Sequence, residues 1–261
     1  SVLALGSPLI TACANPLATN SYDSGIEKYE QGNYQGAIAD FTKAIEINPK
    51  FAYAFLNRGA VKTELKDYQG AIADYDKALE ISPQSFNAYY NRGLAKNRLK
   101  DYQGAIADYS KALEINPRLV DAYSNRGLVK SNLKDYKGAI ADYSKAIEID
   151  PQNGIAYLNR GNAKSELKDY QGAIVDYDKV IAINPQSFIA YYNRRVVKKD
   201  LKDYQGAIAD YAKAITINPQ FALAYNNRGV AKESLGDLKG ACDDWRKAVD
   251  LGNKRPAEWV K

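Results

Sequence analysis

An asparagine recurs every 34 residues along this chain, at Asn57, Asn91, Asn125, Asn159, Asn193 and Asn227. A primary amide carries two donors and an acceptor, so a ladder of them can pair with a peptide backbone whatever that peptide's side chains are. A charged triplet keeps the same step: Arg58, Lys62 and Asp74, then Arg92, Lys96 and Asp108, through to Arg228, Lys232 and Asp244. Two roles compete for it. Either each aspartate pairs with its arginine across two helices, stems packed and heads solvated, or the cations form a basic stripe for an acidic partner. Constellations for catalysis are missing. There is no histidine, which removes His-based triads, imidazole metal sites and His proton shuttles. No glycine-rich phosphate loop, serine nucleophile elbow, zinc-ligand cluster or EF-hand occurs either. Asp243 and Asp244 read as repeat-surface carboxylates, so a non-enzymatic chain without cofactor or metal is expected.

Composition sets the class. The 261 residues are 46% hydrophobic and 26% charged, which excludes disordered and multi-span membrane chains. Lys and Arg number 36 against 31 Asp and Glu, a net +5 too mild to single out a nucleic-acid protein, whose cations cluster on one face. Two cysteines, Cys13 and Cys242, build neither a disulfide scaffold nor a four-cysteine zinc site. Methionine is absent even at position 1, so the expectation is a fragment or a processed form that starts inside its own leader.

Residues 1 to 17 read as that leader. Residues 1 to 20 carry no charge. The apolar run from Val2 to Ile10 is too short to cross a bilayer, which takes about 20 residues, and has the length of a signal-peptide h-region. Ile10-Thr11-Ala12-Cys13 resembles the bacterial lipobox, which makes Cys13 the expected lipidation site. An exported protein, periplasmic or membrane-anchored as a lipoprotein, is expected. Ordinary cleavage after Ala12-Cys13-Ala14 and a cytoplasmic apolar tail are the alternatives.

The residues above must be positioned by something with their period. Pro49, Pro83, Pro117, Pro151, Pro185 and Pro219 share the 34-residue step, and a period of this size means a stacked array. Within the second unit Ala71, Ile72, Tyr75, Ala78 and Leu79 fall on one face of a helix. Asp67 is placed to cap it, and Pro83 ends it, because a pre-proline residue avoids the helical region. Upstream, Ala54 to Lys66 carries Phe55, Val61 and Leu65 toward one side and reads as a first helix. Gly59 facing Ala71 lets the two helices approach, with Phe55 and Tyr75 around that contact. Arg195 stands where other units have this glycine, predicting a wider crossing in the sixth unit. Cys242 falls at an inward place and reads as a small core residue.

This order of aromatic, glycine, alanine, aromatic, alanine and proline in a 34-residue unit resembles the tetratricopeptide repeat (TPR). The resemblance implies an all-α, right-handed α-solenoid of seven tandem helix-turn-helix units. They span 18–51, 52–85, 86–119, 120–153, 154–187, 188–221 and 222–255, with 256–261 starting a capping helix that carries Trp259. The family usually has a leucine before the glycine, a tyrosine three residues after it and an apolar residue in the second helix. Here the charged triplet stands at those places.

The resemblance also assigns the remaining first-helix stripe to a concave peptide-binding groove. In the second unit that stripe is Tyr53, Asn57, Ala60 and Glu64. Leu94, Leu128, Ile155 and Ile189, with Tyr53, are its side-chain-selecting members, and the asparagines are its backbone-reading ladder. An alternative leaves each asparagine holding the next unit's backbone. A carboxylate clamp is disfavoured, because the place one turn before each asparagine is never lysine. Groove charges are Arg98 against Glu64, Asp121, Glu166 and Asp200, which disfavours nucleic acid. The expected function is a scaffold binding an extended segment of a protein partner. An assembly or chaperone-like factor for envelope complexes and a self-associating structural module are the alternatives.

Overall fold

The computed structural model describes residues 15–253, the side chains of Lys199 and Asp200 excepted. The motif ending at Cys13 and the capping segment 256–261 lie outside these residues. Among the described residues there are fourteen helices and no strand, in two compact units that meet in sequence between Leu133 and Lys134. The first unit holds α1 (Pro16–Glu30), α2 (Tyr34–Ile47), α3 (Ala52–Glu64), α4 (Tyr68–Ile81), α5 (Phe86–Arg98), α6 (Tyr102–Ile115) and α7 (Val120–Asn132). The second holds α8 (Tyr136–Ile149), α9 (Gly154–Glu166), α10 (Tyr170–Ile183), α11 (Phe188–Asp200), α12 (Tyr204–Ile217), α13 (Ala222–Ser234) and α14 (Leu238–Asp250). Inside each unit every helix packs on its sequence neighbours, as tandem hairpins do.

Local chemistry explains the boundaries. The Asp67 carboxylate accepts the Gly70 N–H at 2.9 Å and so caps α4, leaving one fewer orphan donor. A Cβ on Gly70 would collide with that carboxylate, so the glycine there makes room for the cap. Asp101, Asp135, Asp169, Asp203 and Asp237 repeat the bond. α1 starts two residues before the expected Ala18, because Asn15 accepts the Leu17 N–H at 3.0 Å and Pro16 suits a first helical position. Turns inside the hairpins use a left-handed residue. Gly32 and Gly236 supply it at the ends, but Lys66, Lys100, Lys134, Lys168 and Lys202 adopt φ of 62 to 65°, which costs each of them about 1 kcal/mol.

The core is built from second-helix aromatics seated on first-helix glycines. A Cβ on Gly59 would stand 2.7 Å from the Tyr75 ring, so the ring itself lies on the glycine backbone, a tighter arrangement than the expected contact between Gly59 and Ala71. Gly93 with Tyr109 and Gly161 with Tyr177 repeat it. The hydroxyls of these rings differ in fate. Tyr75 pairs with Thr63 Oγ1 at 3.0 Å, whereas the buried Tyr109 hydroxyl has no partner among the described residues. Tyr75→Phe is therefore expected to cost about 1 kcal/mol, and Tyr109→Phe to be neutral or stabilising, since only the first loses a bond. Urea midpoints of the two variants check this, and equal losses would contradict it.

Arg195 meets its ring differently. It is 2% exposed, its guanidinium carbon lies 3.7 Å from the Tyr211 centroid and 4.5 Å from that of Tyr192, and its Nε donates to the Tyr192 carbonyl at 3.3 Å. The cation stacks where backbone would otherwise sit. Cys242 is a free thiol and only half-buried, less enclosed than its inward position predicts.

Candidate functional site

The charged triplets are spent inside the fold. Arg160 donates to both oxygens of Asp176, at 3.0 and 2.7 Å, while Lys164 reaches the same carboxylate at 2.8 Å. The third guanidinium nitrogen donates to Ser144 Oγ at 3.0 Å, so one arginine ties α9 to both α10 and α8. Its guanidinium carbon also lies 5.4 Å from the Tyr157 ring centroid. Arg58 with Asp74, Arg92 with Asp108, Arg194 with Asp210 and Arg228 with Asp244 keep the same fork. Burial opposes the Arg92 charge, but its hydrogen bonds to Asp108 and Asp76 win and hold its pKa above the usual guanidinium range. These cations are structural ties and leave no free basic stripe along the described hairpins, in line with the pairing role.

The asparagine ladder divides. Asn57 is fully buried, and its amide donates to the Tyr22 hydroxyl at 2.8 Å. Asn125 does the same to Tyr90 at 2.9 Å and Asn227 to Tyr192 at 3.1 Å. Each bond links residues 35 apart, one repeat plus one residue, so these asparagines bracket consecutive first helices. Asn193 instead donates at 2.9 Å to Asn162 Oδ1, which also accepts the Tyr177 hydroxyl at 2.9 Å. Asn91 is buried opposite a different neighbour: Leu56 stands 35 residues before it, where Asn57 has Tyr22. Asn159 is half-buried. The sequence signal for the brackets was present, as a tyrosine 35 residues before three of the six asparagines.

Several side chains left open on this face are aliphatic. In the second unit Ile155, Ile189 and Leu223 are 70%, 44% and 48% exposed, and all three occupy the second residue of α9, α11 and α13. In the first unit the same places hold Tyr53, half-buried, with Asn87 and Asp121. Leu94 is half-buried and Leu128 exposed. A cleft of about 320 Å³ opens between α9 and α11, lined by Asn162, Ser165, Glu166, Tyr177, Asn193 and Val196. Its counterpart between α3 and α5 is lined by Thr63, Glu64, Lys66, Tyr68, Leu94 and Arg98. Among the described residues no group of His, Cys, Asp and Glu could hold a metal ion.

The bracketing Tyr90 and several core tyrosines carry shifted phenols. Burial pushes Tyr90 from the ordinary 10.0 up to about 12, Asp121 adds to the rise, and the Asn125 bond opposes it. Desolvation also raises Tyr75, Tyr109, Tyr143 and Tyr177. A phenol whose folded pKa is raised contributes stability that is present below its unfolded pKa and lost as pH climbs toward the folded one. The melting temperature should therefore hold to about pH 10 and then fall steeply toward pH 12, in step with phenolate absorbance. Ionisation of these buried phenols near pH 10 without loss of helicity would contradict this.

A family model for the tetratricopeptide repeat matches residues 86–119, 120–153 and 154–187. A second TPR-repeat model matches 25–65, 61–100 and 197–236. No curated protein sequence matches the chain. Among solved structures, MamA is similar at 29% identity with a TM-score of 0.60, over 62% of this chain and 95% of that one. YrrB, a TPR protein with an unusual peptide-binding site, is similar at 28% identity and a TM-score of 0.64, over 70% of this chain and 95% of that one. The C-terminal part of a TPR repeat-containing protein from Cytophaga hutchinsonii shares the fold alone, at 20% identity and a TM-score of 0.80, over 92% of this chain and 99% of that one. With family models on both sides of residue 190 and these hairpins between them, the chain belongs to the tetratricopeptide repeat family.

Proposed function

We propose that the chain is a non-enzymatic protein-interaction scaffold that holds an extended segment of a partner protein on its first-helix faces. The observation that carries this reading is the row of Ile155, Ile189 and Leu223, aliphatic side chains left open at equivalent places, where burial on binding supplies the driving force. YrrB, a relative in fold and sequence, has a peptide-binding site. Backbone recognition falls to Asn159, half-buried and tied by no tyrosine, while Asn57, Asn125 and Asn227 keep the helices in register. An anchor at Cys13 completes the proposal from the sequence motif alone; acyl labelling that persists in Cys13→Ser would remove it.

Selection of phage-displayed peptides on the full chain tests the groove. Selected peptides should lose at least about tenfold in affinity to a variant carrying Ile155→Asp and Ile189→Asp, because two aliphatic contacts become unpaired charges. Asn57→Ala should lower stability by about 1 kcal/mol, through the lost bond to the Tyr22 hydroxyl, with little effect on affinity. Peptides that bind the double variant unchanged would place the site elsewhere.

A further inference from the structure

The two clefts described above differ in charge, since Lys66 and Arg98 line the first and no cation lines the second. Between α3 and α5 the carboxylate of Glu64 shares its cleft with the guanidinium of Arg98. Three repeats later Glu166 occupies the place of Glu64, and the place of Arg98 is taken by Asp200. Lys168, which takes the place of Lys66, does not line the second cleft, and Lys164 and Lys198 are committed, to Asp176 and to Asp210 at 3.0 Å. Tyr136 of α8 stands close to Glu166 and brings no charge at neutral pH. The lining of the second unit's cleft thus holds one carboxylate and no cation, beside an open aliphatic row.

Ile155 and Glu166 stand at opposite ends of α9, eleven residues apart in sequence and so about 16 Å along the helix axis. A strand crossing the first helices sends alternate side chains to opposite sides. One set would then face the row of Ile155, Ile189 and Leu223, and the other the cleft. We propose that the second unit selects an extended partner segment with aliphatic side chains on one edge and a lysine or arginine on the other, the cation seating against Glu166. This rests on the first-helix face being the docking surface, and adds to it the chemistry of the occupant. The aliphatic contacts supply affinity, and the charge sets which segment is accepted and steers its approach.

Fluorescence anisotropy on the full chain with two labelled short peptides, one alternating valine and lysine and one alternating valine and glutamate, tests this. The lysine peptide should bind at least about tenfold tighter. Glu166→Gln should remove that preference and Glu166→Lys reverse it, whereas Glu64→Gln should leave it intact. Equal binding of both peptides, or a preference that survives Glu166→Lys, overturns the proposal. If the two bind equally and the variant with Ile155→Asp and Ile189→Asp loses both, the docking face stands and only the acidic selection falls. If neither peptide binds, the assigned occupant is wrong.

Discussion

Asp176→Ala should lower the unfolding free energy by about 3 kcal/mol. The Asp176 side chain is 1% exposed and serves both Arg160 and Lys164, so its removal strands two cations whose stems are packed between helices. Part of the loss is recovered by water, because each cation keeps 18% of its side-chain surface exposed. The fold needs the three charges together and does not need charge as such. Arg160→Leu, Lys164→Tyr and Asp176→Leu combined restore the apolar residues usual at these places in the family. That triple variant should match or exceed the parent in stability, since a buried ion cluster exchanged for packed apolar groups is often neutral or favourable. Chemical denaturation of parent, single and triple variants decides the matter. A triple variant as weak as the single one would show that the charges supply net stability.

Tyr177→Ala carries the other large effect, an expected loss of about 3–5 kcal/mol. The ring is buried, a Cβ on Gly161 would lie 2.8 Å from it, and its hydroxyl donates to Asn162. Truncation therefore opens a cavity against bare backbone that cannot collapse. Gly161→Leu is expected to cost about 2 kcal/mol for the opposite reason, overpacking against that ring. The two together should cost less than the sum of the singles, because the leucine enters the space the ring vacates. Strict additivity would mean that the ring and the glycine do not share one packing site.

Much of this was legible because the chain states each device several times. The period of the apolar residues marked the helices, Asp67 and its equivalents marked their starts, and the Arg, Lys and Asp triplets recurred with a spacing that suits pairing across a hairpin. Those signals are local, within one repeat. The burial of Asn57 was not legible in the same way, since its partner Tyr22 lies in the preceding repeat at an offset of 35 rather than 34. A stripe drawn on one helix shows which side chains share a face, but not which of them the neighbouring helix covers. The left-handed lysines escaped notice because glycine is the usual residue for that conformation, and their turn is set by the hairpin closing around them. Arg195 was marked by its place, yet its stacking on Tyr211 follows from a ring that has no glycine to rest on.

We propose above that partner protein is held on the first-helix face. Site-specific photo-crosslinking in the native cells tests it most directly, with a photoreactive residue placed at Ile155, Ile189 or Leu128, and at Lys145 or Lys179 on the second helices for comparison. A discrete crosslinked partner is expected from the first three positions and none from the last two. Crosslinks to the same partner from Lys145 and Lys179, with none from Ile155, Ile189 or Leu128, would contradict it.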